Sequence, residues 1–271
     1  MTDQNFTDTV TSFYEKNGRH LLPWRKTCNP YHILVSEVML QQTQVDRVIP
    51  KYKYFLSRFP SFELLADASL QEVLLLWQGL GYNRRAKMLH QCAKDVVKSY
   101  EGKLPHQEEQ LLLLPGIGPY TASAICAFAY NKPVVMIETN IRTVFLYHFF
   151  SEKNNVDDAD IIPYIRSTVD INNPRQWYWA LMDYGAYLKK KHGNLNKKSK
   201  HYLKQSAFKG SDREIRGAII RVLVNSKKYQ SKKQLFSRLK GFDKDRLTAQ
   251  LDKLIHEGMI EAIKDKFRLP S

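Results

Sequence analysis

Acidic residues and cysteines are both scarce in this chain. Its 271 residues include 27 Asp or Glu against 42 Lys or Arg, a formal net charge of +15. That imbalance calls for a polyanionic partner, with nucleic acid ahead of membrane; solubility alone is the plainer reading of the same number. There are three cysteines, Cys28, Cys92 and Cys126, with no CxxC pair and no histidine at metal-ligand spacing. A disulfide framework and a cysteine-held metal cluster are thereby excluded, and Cys126, within an apolar helix face, reads as a small core residue. Long hydrophobic runs are missing too: no stretch approaches the ~18 apolar residues of a membrane span. The opening MTDQNFTDTVTSFYEKNGRH has no apolar signal core, so the expected location is the cytoplasm, at the nucleoid if the source is bacterial. No internal repeat and no alternation of strands with helices is present.

What is present is helical periodicity. Apolar residues at 3.6-residue spacing predict helices over 6–17, 31–48, 50–59, 61–66, 70–78, 83–100, 107–113 and 120–129, then around 140–150 and 177–190. Turns carry the matching punctuation in CNP at 28–30, GLGY at 79–82 and NKP at 131–133. From Lys189 the chain becomes lysine-rich and reads as a solvated linker or a phosphate-tracking arm over 189–210. Beyond it, Ser211 and Asp212 can cap a helix reaching Val224. Two further helices (232–239 and 243–257) and the strand-like runs MIEAI and FRLP follow. Three helices and a β-hairpin resemble a winged helix, a nucleic-acid-binding module; a small docking domain has the same pattern.

Four stretches carry chemistry. In LPGIGPYTASA at 114–124, glycines interrupt a helix and Pro119 opens the next one. Gly116, Ile117 and Gly118 can thus point successive backbone N–H groups at one phosphate, helped by the following helix dipole; a tight turn between packed helices is the alternative. In SEVMLQQTQV at 36–45, Glu37 has Ile33, Leu34, Leu40 and Gln41 as its helical neighbours. A carboxyl in such surroundings has a raised pKa and can act as a general acid, unless it simply pairs with an arginine at the core edge. In VVMIETNIRTVF at 134–145, Glu138 arrives at a helix start beside Thr139 and Asn140. It is either a favourable N-terminal acid or the ionised half of a carboxylate pair with Glu37, stabilising an oxocarbenium ion as Glu37 protonates the leaving group. In WQGLGYNRRAKMLH at 77–90, Tyr82 sits on a Gly-rich turn beside Arg84, Arg85 and Lys87. An exposed aromatic among cations can wedge into a base stack; a core tyrosine is the alternative.

Taken together, LPWR, SEVMLQQTQV, GLGYNRRAKMLH, LPGIGPYTASA, ETNIRTVF and LMDYGA resemble the helix-hairpin-helix (HhH-GPD) base-excision DNA glycosylases, most closely the MutY-type adenine glycosylases. They run in the family's order from about Phe13 to Lys189, roughly two-thirds of the chain. The resemblance implies an all-α, two-lobed glycosylase with its substrate cleft between the lobes. It implies a domain over 1–208, with a six-helix lobe at about 26–132 and a second lobe from 1–25 plus 133–190. A small winged-helix-like α+β domain over 211–271 follows. The catalytic candidates are Glu37, Glu138, Tyr120 and Asn140; the substrate and DNA-binding candidates are Trp24, Gln41, Gln42, Tyr82, Arg84, Gly116, Ile117, Gly118, Arg142 and Asp183. By resemblance Glu37 protonates the adenine ring and Glu138 takes the place of the second catalytic carboxylate. Gln42 and Tyr82 probe the opposite strand, and Trp24 and Asp183 lie near the extruded base. Tyr120 stands where bifunctional relatives carry a Schiff-base lysine, which implies a monofunctional enzyme.

The chain departs from the family pattern at three places. Glu138 replaces the usual Asp and is one methylene longer. The four cysteines that follow the LMDYGA helix in relatives are missing, Lys189 standing in place of the first, so no cofactor and no iron–sulfur cluster is expected. The usual C-terminal Nudix-like domain gives way to the winged-helix-like one. The expected function is removal of a mispaired base, adenine opposite G or 8-oxoG, from double-stranded DNA by a monomer without membrane contact. Excision of mismatched thymine or uracil, or of another damaged base, is the alternative within the class. A non-catalytic DNA-binding protein on the same fold is the alternative outside it.

Overall fold

The computed structural model describes residues 2–226 and 228–270, which are mostly helical with a small C-terminal sheet. Contacts divide them into two compact units. The first holds the described residues up to Glu37, with Pro105–Leu113 and Ile117–Lys204; the second holds Val38–Leu104, Leu114–Gly116 and the described residues from Gln205 onward.

In the first unit, α1 (Asp3–Asn17), α8 (Pro119–Phe128) and α9 (Thr139–Phe149) pack on α11 (Pro174–His192), with α7 (Glu108–Leu111) against α8 and α10 (Asp158–Thr168) against α9 and α1. A 3-10 turn spans Pro23–Arg25. The core of this unit is aromatic: Phe6 meets Phe145 at 5.2 Å and Phe149 at 5.1 Å between ring centroids, with Trp177 at 6.0 Å. Each such pair contributes about 0.5–1.5 kcal/mol beyond its buried area. α11 packs most extensively on α9, and Gly185 makes this possible, because a Cβ there would stand 2.1 Å from the Asn140 carbonyl oxygen.

Two features of this unit differ from the sequence expectation. α10 was not foreseen; Asp157 starts it with a reciprocal capping box to Asp160. Pro163 within its short run obscures the periodicity. The basic stretch after Lys189 is also only partly solvated. α11 runs on to His192, and a 3-10 turn over Leu195–Lys198 buries Asn196, whose amide donates to the Thr139 carbonyl (3.0 Å) and to Thr143 Oγ1 (2.6 Å). Ser199 then forms a parallel bridge with Val156. The Thr139 carbonyl and the Thr143 hydroxyl, themselves 2.7 Å apart, give Asn196 buried partners that the segment's lysine content conceals.

The second unit contains α3 (Val45–Arg58), α4 (Phe62–Asp67), α5 (Leu70–Trp77) and α6 (Arg84–Tyr100). α2 (Pro30–Leu40) ends inside it, so the single helix predicted over 31–48 is two. The break occurs because Gln42 adopts a left-handed conformation (φ 54°), while Arg85 caps the end of α2. Its Nη1 donates to the carbonyls of Val38, Met39 and Gln41 at 2.7, 3.0 and 2.5 Å. A cation on the last carbonyls of a helix satisfies orphan acceptors and favours the dipole.

The C-terminal segment consists of α12 (Asp212–Val224), β1 (Gln230–Ser231), α13 (Lys232–Ser237), α14 (Lys244–His256), β2 (Glu261–Ile263) and β3 (Lys266–Arg268). Its antiparallel sheet has the order β1-β3-β2, with Phe267 paired to both Gln230 and Ala262. Short β1 adds a strand to the anticipated hairpin. Ser211 precedes α12 without a side-chain cap bond. Rather than standing alone, the segment packs through α12 on α5, where Gln71 Nε2 donates to the Val224 carbonyl at 3.0 Å.

Candidate active site

Glu37 lies in α2, a helix buried nearly all round: Ile33, Leu34, Val35, Val38 and Met39 are each 5% exposed or less, and Glu37 is 6% exposed. A helix that is apolar on every side belongs in a core, so the carboxyl loses its water. Burial pushes its pKa up to about 7, against the lowering effect of a hydrogen bond from Tyr120; the charge of Glu138 adds to the rise and Arg25 opposes it. Tyr120, in the first turn of α8, donates its hydroxyl to Glu37 Oε2 at 2.9 Å. Burial and both carboxylates hold the phenol well above its ordinary pKa, so it remains a donor.

Glu138 is the N-cap of α9, in extended backbone. Its Oε1 accepts from the amides of Asn140 (2.7 Å) and Ile141 (2.9 Å), and its Oε2 from Asn140 Nδ2 at 3.3 Å. Burial raises this carboxyl as well, against the three N–H donors and Arg142. Those donors bind the charged form, so of the two carboxyls Glu138 is the better suited to stay ionised and Glu37 to hold the proton. Arg142, one turn on, is engaged bidentately by Asp158 at 2.6 and 2.7 Å.

Asp183 of α11 is buried beneath two arginines. Arg25 grips it at 2.7 and 2.9 Å, and Arg19 donates through both its backbone amide and Nε at 2.7 Å. Burial raises the Asp183 carboxyl, but the bonds and charges of Arg25 and Arg19 bring it below its usual value. It is a fixed anion that orients Arg25, whose guanidinium also lies 5.5 Å from the Trp179 ring centroid. Trp24, beside Arg25 in the 3-10 turn, is buried.

In the second unit, Gln42 is exposed and Tyr82 partly so, both in left-handed backbone, φ 54° and 48°. Gln41 gives its carbonyl to Arg85, and Arg84 is exposed in the first turn of α6. Arg85 also donates through Nη2 to the carbonyls of Leu80 and Gly81 at 3.2 Å, so one guanidinium holds the Gly-rich turn and the end of α2. Two residues outside the sequence candidates touch this place: Gln205 and Arg213 both donate to the Tyr82 hydroxyl. Nothing local in the sequence marks them.

At the hairpin, Gly116 has φ +78°, and a Cβ there would meet Met88 Cβ at 2.6 Å, so this position requires glycine. Ile117 is buried; Gly118 is exposed and precedes Pro119 as an N-cap with no side-chain bond. α8 therefore starts with no side chain competing for its amides.

The chain belongs to a family of base-excision DNA repair proteins, as its similarity to known proteins shows. Residues 35–162 match the HhH-GPD superfamily base excision DNA repair protein family. Among relatives, an adenine DNA glycosylase of Buchnera aphidicola is 37% identical over 189 residues, 69% of this chain and 54% of that one. A thymine/uracil-DNA glycosylase of Pyrobaculum aerophilum is 31% identical over 185 residues, 66% of this chain and 80% of that one. The solved structure of a thermostable thymine-DNA glycosylase matches with a TM-score of 0.61 at 28% identity, over 68% of this chain and 86% of that one. The chain spans about half the length of the adenine DNA glycosylases it matches.

Proposed function

We propose that the chain is a monofunctional DNA glycosylase of base excision repair that removes adenine mispaired with guanine or 8-oxoguanine. The observation that carries this reading is Glu37, a buried carboxyl whose pKa of about 7 suits a general acid. With the nucleotide turned out of the duplex, Glu37 passes its proton to a ring nitrogen of the base, which leaves as a neutral species. The sugar becomes an oxocarbenium ion beside ionised Glu138, water adds at the anomeric carbon and gives its proton to the Glu37 carboxylate, which is thereby restored, and an abasic site remains. Tyr120 orients Glu37, Asn140 and Arg142 support Glu138 and its helix, and Trp24 flanks the extruded base while Asp183 holds Arg25 in place. The phenol of Tyr120 cannot form a Schiff base, so strand cleavage is not part of the reaction.

DNA is bound through phosphates, by the amides at Gly116, Ile117 and Gly118 and by cations such as Arg84. Gln42 and Tyr82 enter the opposite strand, with Gln41 supporting that turn. The net charge of +15 supports a nucleic-acid partner; the protein acts as a monomer, in the cytoplasm or at the nucleoid. Three cysteines cannot supply a four-cysteine ligand set, and no group of three His, Cys, Asp or Glu among the described residues could hold a metal. Acid-catalysed hydrolysis of the glycosidic bond needs no resident cofactor in this reading, and purified protein should be colourless and free of stoichiometric iron.

A second reading, removal of mismatched thymine or uracil, is favoured by the Pyrobaculum relative, of which the chain covers 80%. Single-turnover assays on duplexes carrying each mismatch, with and without alkali, decide between them. Adenine release with strand breakage only after alkali is expected. Thymine or uracil release would move the substrate, and tight binding without release of any base would overturn the enzymatic reading.

A further inference from the structure

Gln42 and Tyr82 stand on two separate turns, and each keeps a left-handed backbone that non-glycine residues rarely adopt. Arg85 fixes both turns through their carbonyls. The side chains themselves are joined by residues far along the chain. Gln205 Nε2 donates to Gln42 Oε1 at 2.9 Å and also to the Tyr82 hydroxyl, so one amide bridges the pair. Arg213, in the first turn of α12, donates Nη1 to the same hydroxyl, and its guanidinium carbon lies 5.5 Å from the Tyr82 ring centroid. Its Nη2 donates to the Ser206 carbonyl at 2.6 Å, which folds the arm carrying Gln205 back onto the turn. Among the described residues no carboxylate pairs with Arg213. A planar cation without a counter-ion, beside Tyr82, is suited to the acceptor edge of a guanine-type base.

We propose that Gln205 and Arg213, supplied from beyond the family-matching region, are specificity-determining residues that complete the reader of the nucleotide opposite the target base, with Arg213 selecting a purine there. The proposal rests on the reading of Gln42 and Tyr82 as opposite-strand residues. It gives the C-terminal segment a role in choice of substrate in addition to its charge.

The test uses the full chain and a probe that needs no catalysis: binding to duplexes carrying a tetrahydrofuran abasic analogue opposite G, 8-oxoG, C or T. Arg213→Met should lower the preference for a purine over a pyrimidine opposite by about tenfold, the worth of one or two side-chain hydrogen bonds. Gln205→Ala should lower it less. Arg213→Lys keeps the charge without the planar fork, so it should retain the salt dependence of binding yet lose the preference. Thermal unfolding of each variant checks that the fold is intact. If Arg213→Met flattens the salt slope and leaves the preference unchanged, the contact is to a phosphate and the proposal fails; it fails equally if neither property moves. If wild type releases no base while the binding preference exists and falls in Arg213→Met, the glycosylase reading is lost and this inference stands.

Discussion

Replacing Glu37 by Gln should stabilise the protein at alkaline pH while destroying its chemistry. Burial raises the carboxyl from 4.5 to about 7 in the folded chain. A raised folded-state pKa means that the native state prefers the protonated form: the favourable contribution is complete below the unfolded value of 4.5 and is lost as pH climbs through about 7. At about 1.4 kcal/mol per unit, the ionised carboxylate costs the native state about 3 kcal/mol at pH 8. The amide of the Glu37→Gln variant never ionises and avoids this cost, although its extra N–H must find a partner in the site. The net effect should therefore be a gain of about 2 kcal/mol at pH 8 and a loss of about 1 kcal/mol at pH 4. Urea unfolding across that range measures it as a midpoint shift that grows between pH 5 and 7. Single-turnover base release should be abolished in the same variant, with duplex affinity largely kept, because phosphates supply most of the binding. A stability difference that does not vary with pH would refute the raised pKa. Near-normal excision by the variant would refute the assignment of the proton donor.

Tyr120→Phe removes the hydrogen bond that favours ionised Glu37, so the alkaline limb of the excision rate should move up by about one pH unit; a limb that stays in place or moves down argues against that bond. Glu138→Ala should lose nearly all activity, whereas Glu138→Asp, still able to accept from the α9 amides, should keep a measurable rate, and full activity of the alanine variant would reduce Glu138 to a helix cap. Gly185→Ala drives a Cβ into the Asn140 carbonyl, 2.1 Å away, and should destabilise by about 1–3 kcal/mol. The displaced start of α9 should slow excision by ~100-fold. Gly217→Ala, with nothing within 4 Å of its Cβ, should instead stabilise α12 by up to about 1 kcal/mol, as thermal melts of the two variants will show.

The surroundings of Glu37 were readable in advance because a helix brings residues three and four positions apart together; Ile33 and Leu34 precede it at that spacing and are buried. The hairpin was readable for the same kind of reason. Gly116 needs a positive φ and Pro119 suits a first helical turn, and both demands act within a few residues. The end of α2 was not readable: SEVMLQQTQV has no breaker, and the helix stops where a guanidinium from 44 positions further on takes its carbonyls. Asp183 likewise resembled a substrate ligand, and its contacts are arginines 158 and 164 residues away.

Sequence by itself determined most of the helical periods and the glycine turns, since each is settled among residues a turn or two apart. Tertiary structure alone decided where the polar groups found partners: Tyr120 on Glu37 across 83 residues, Asn196 on the start of α9, and Gln205 and Arg213 on Tyr82. A buried donor or acceptor must be satisfied by whatever group the fold delivers to it, and local spacing does not encode that delivery.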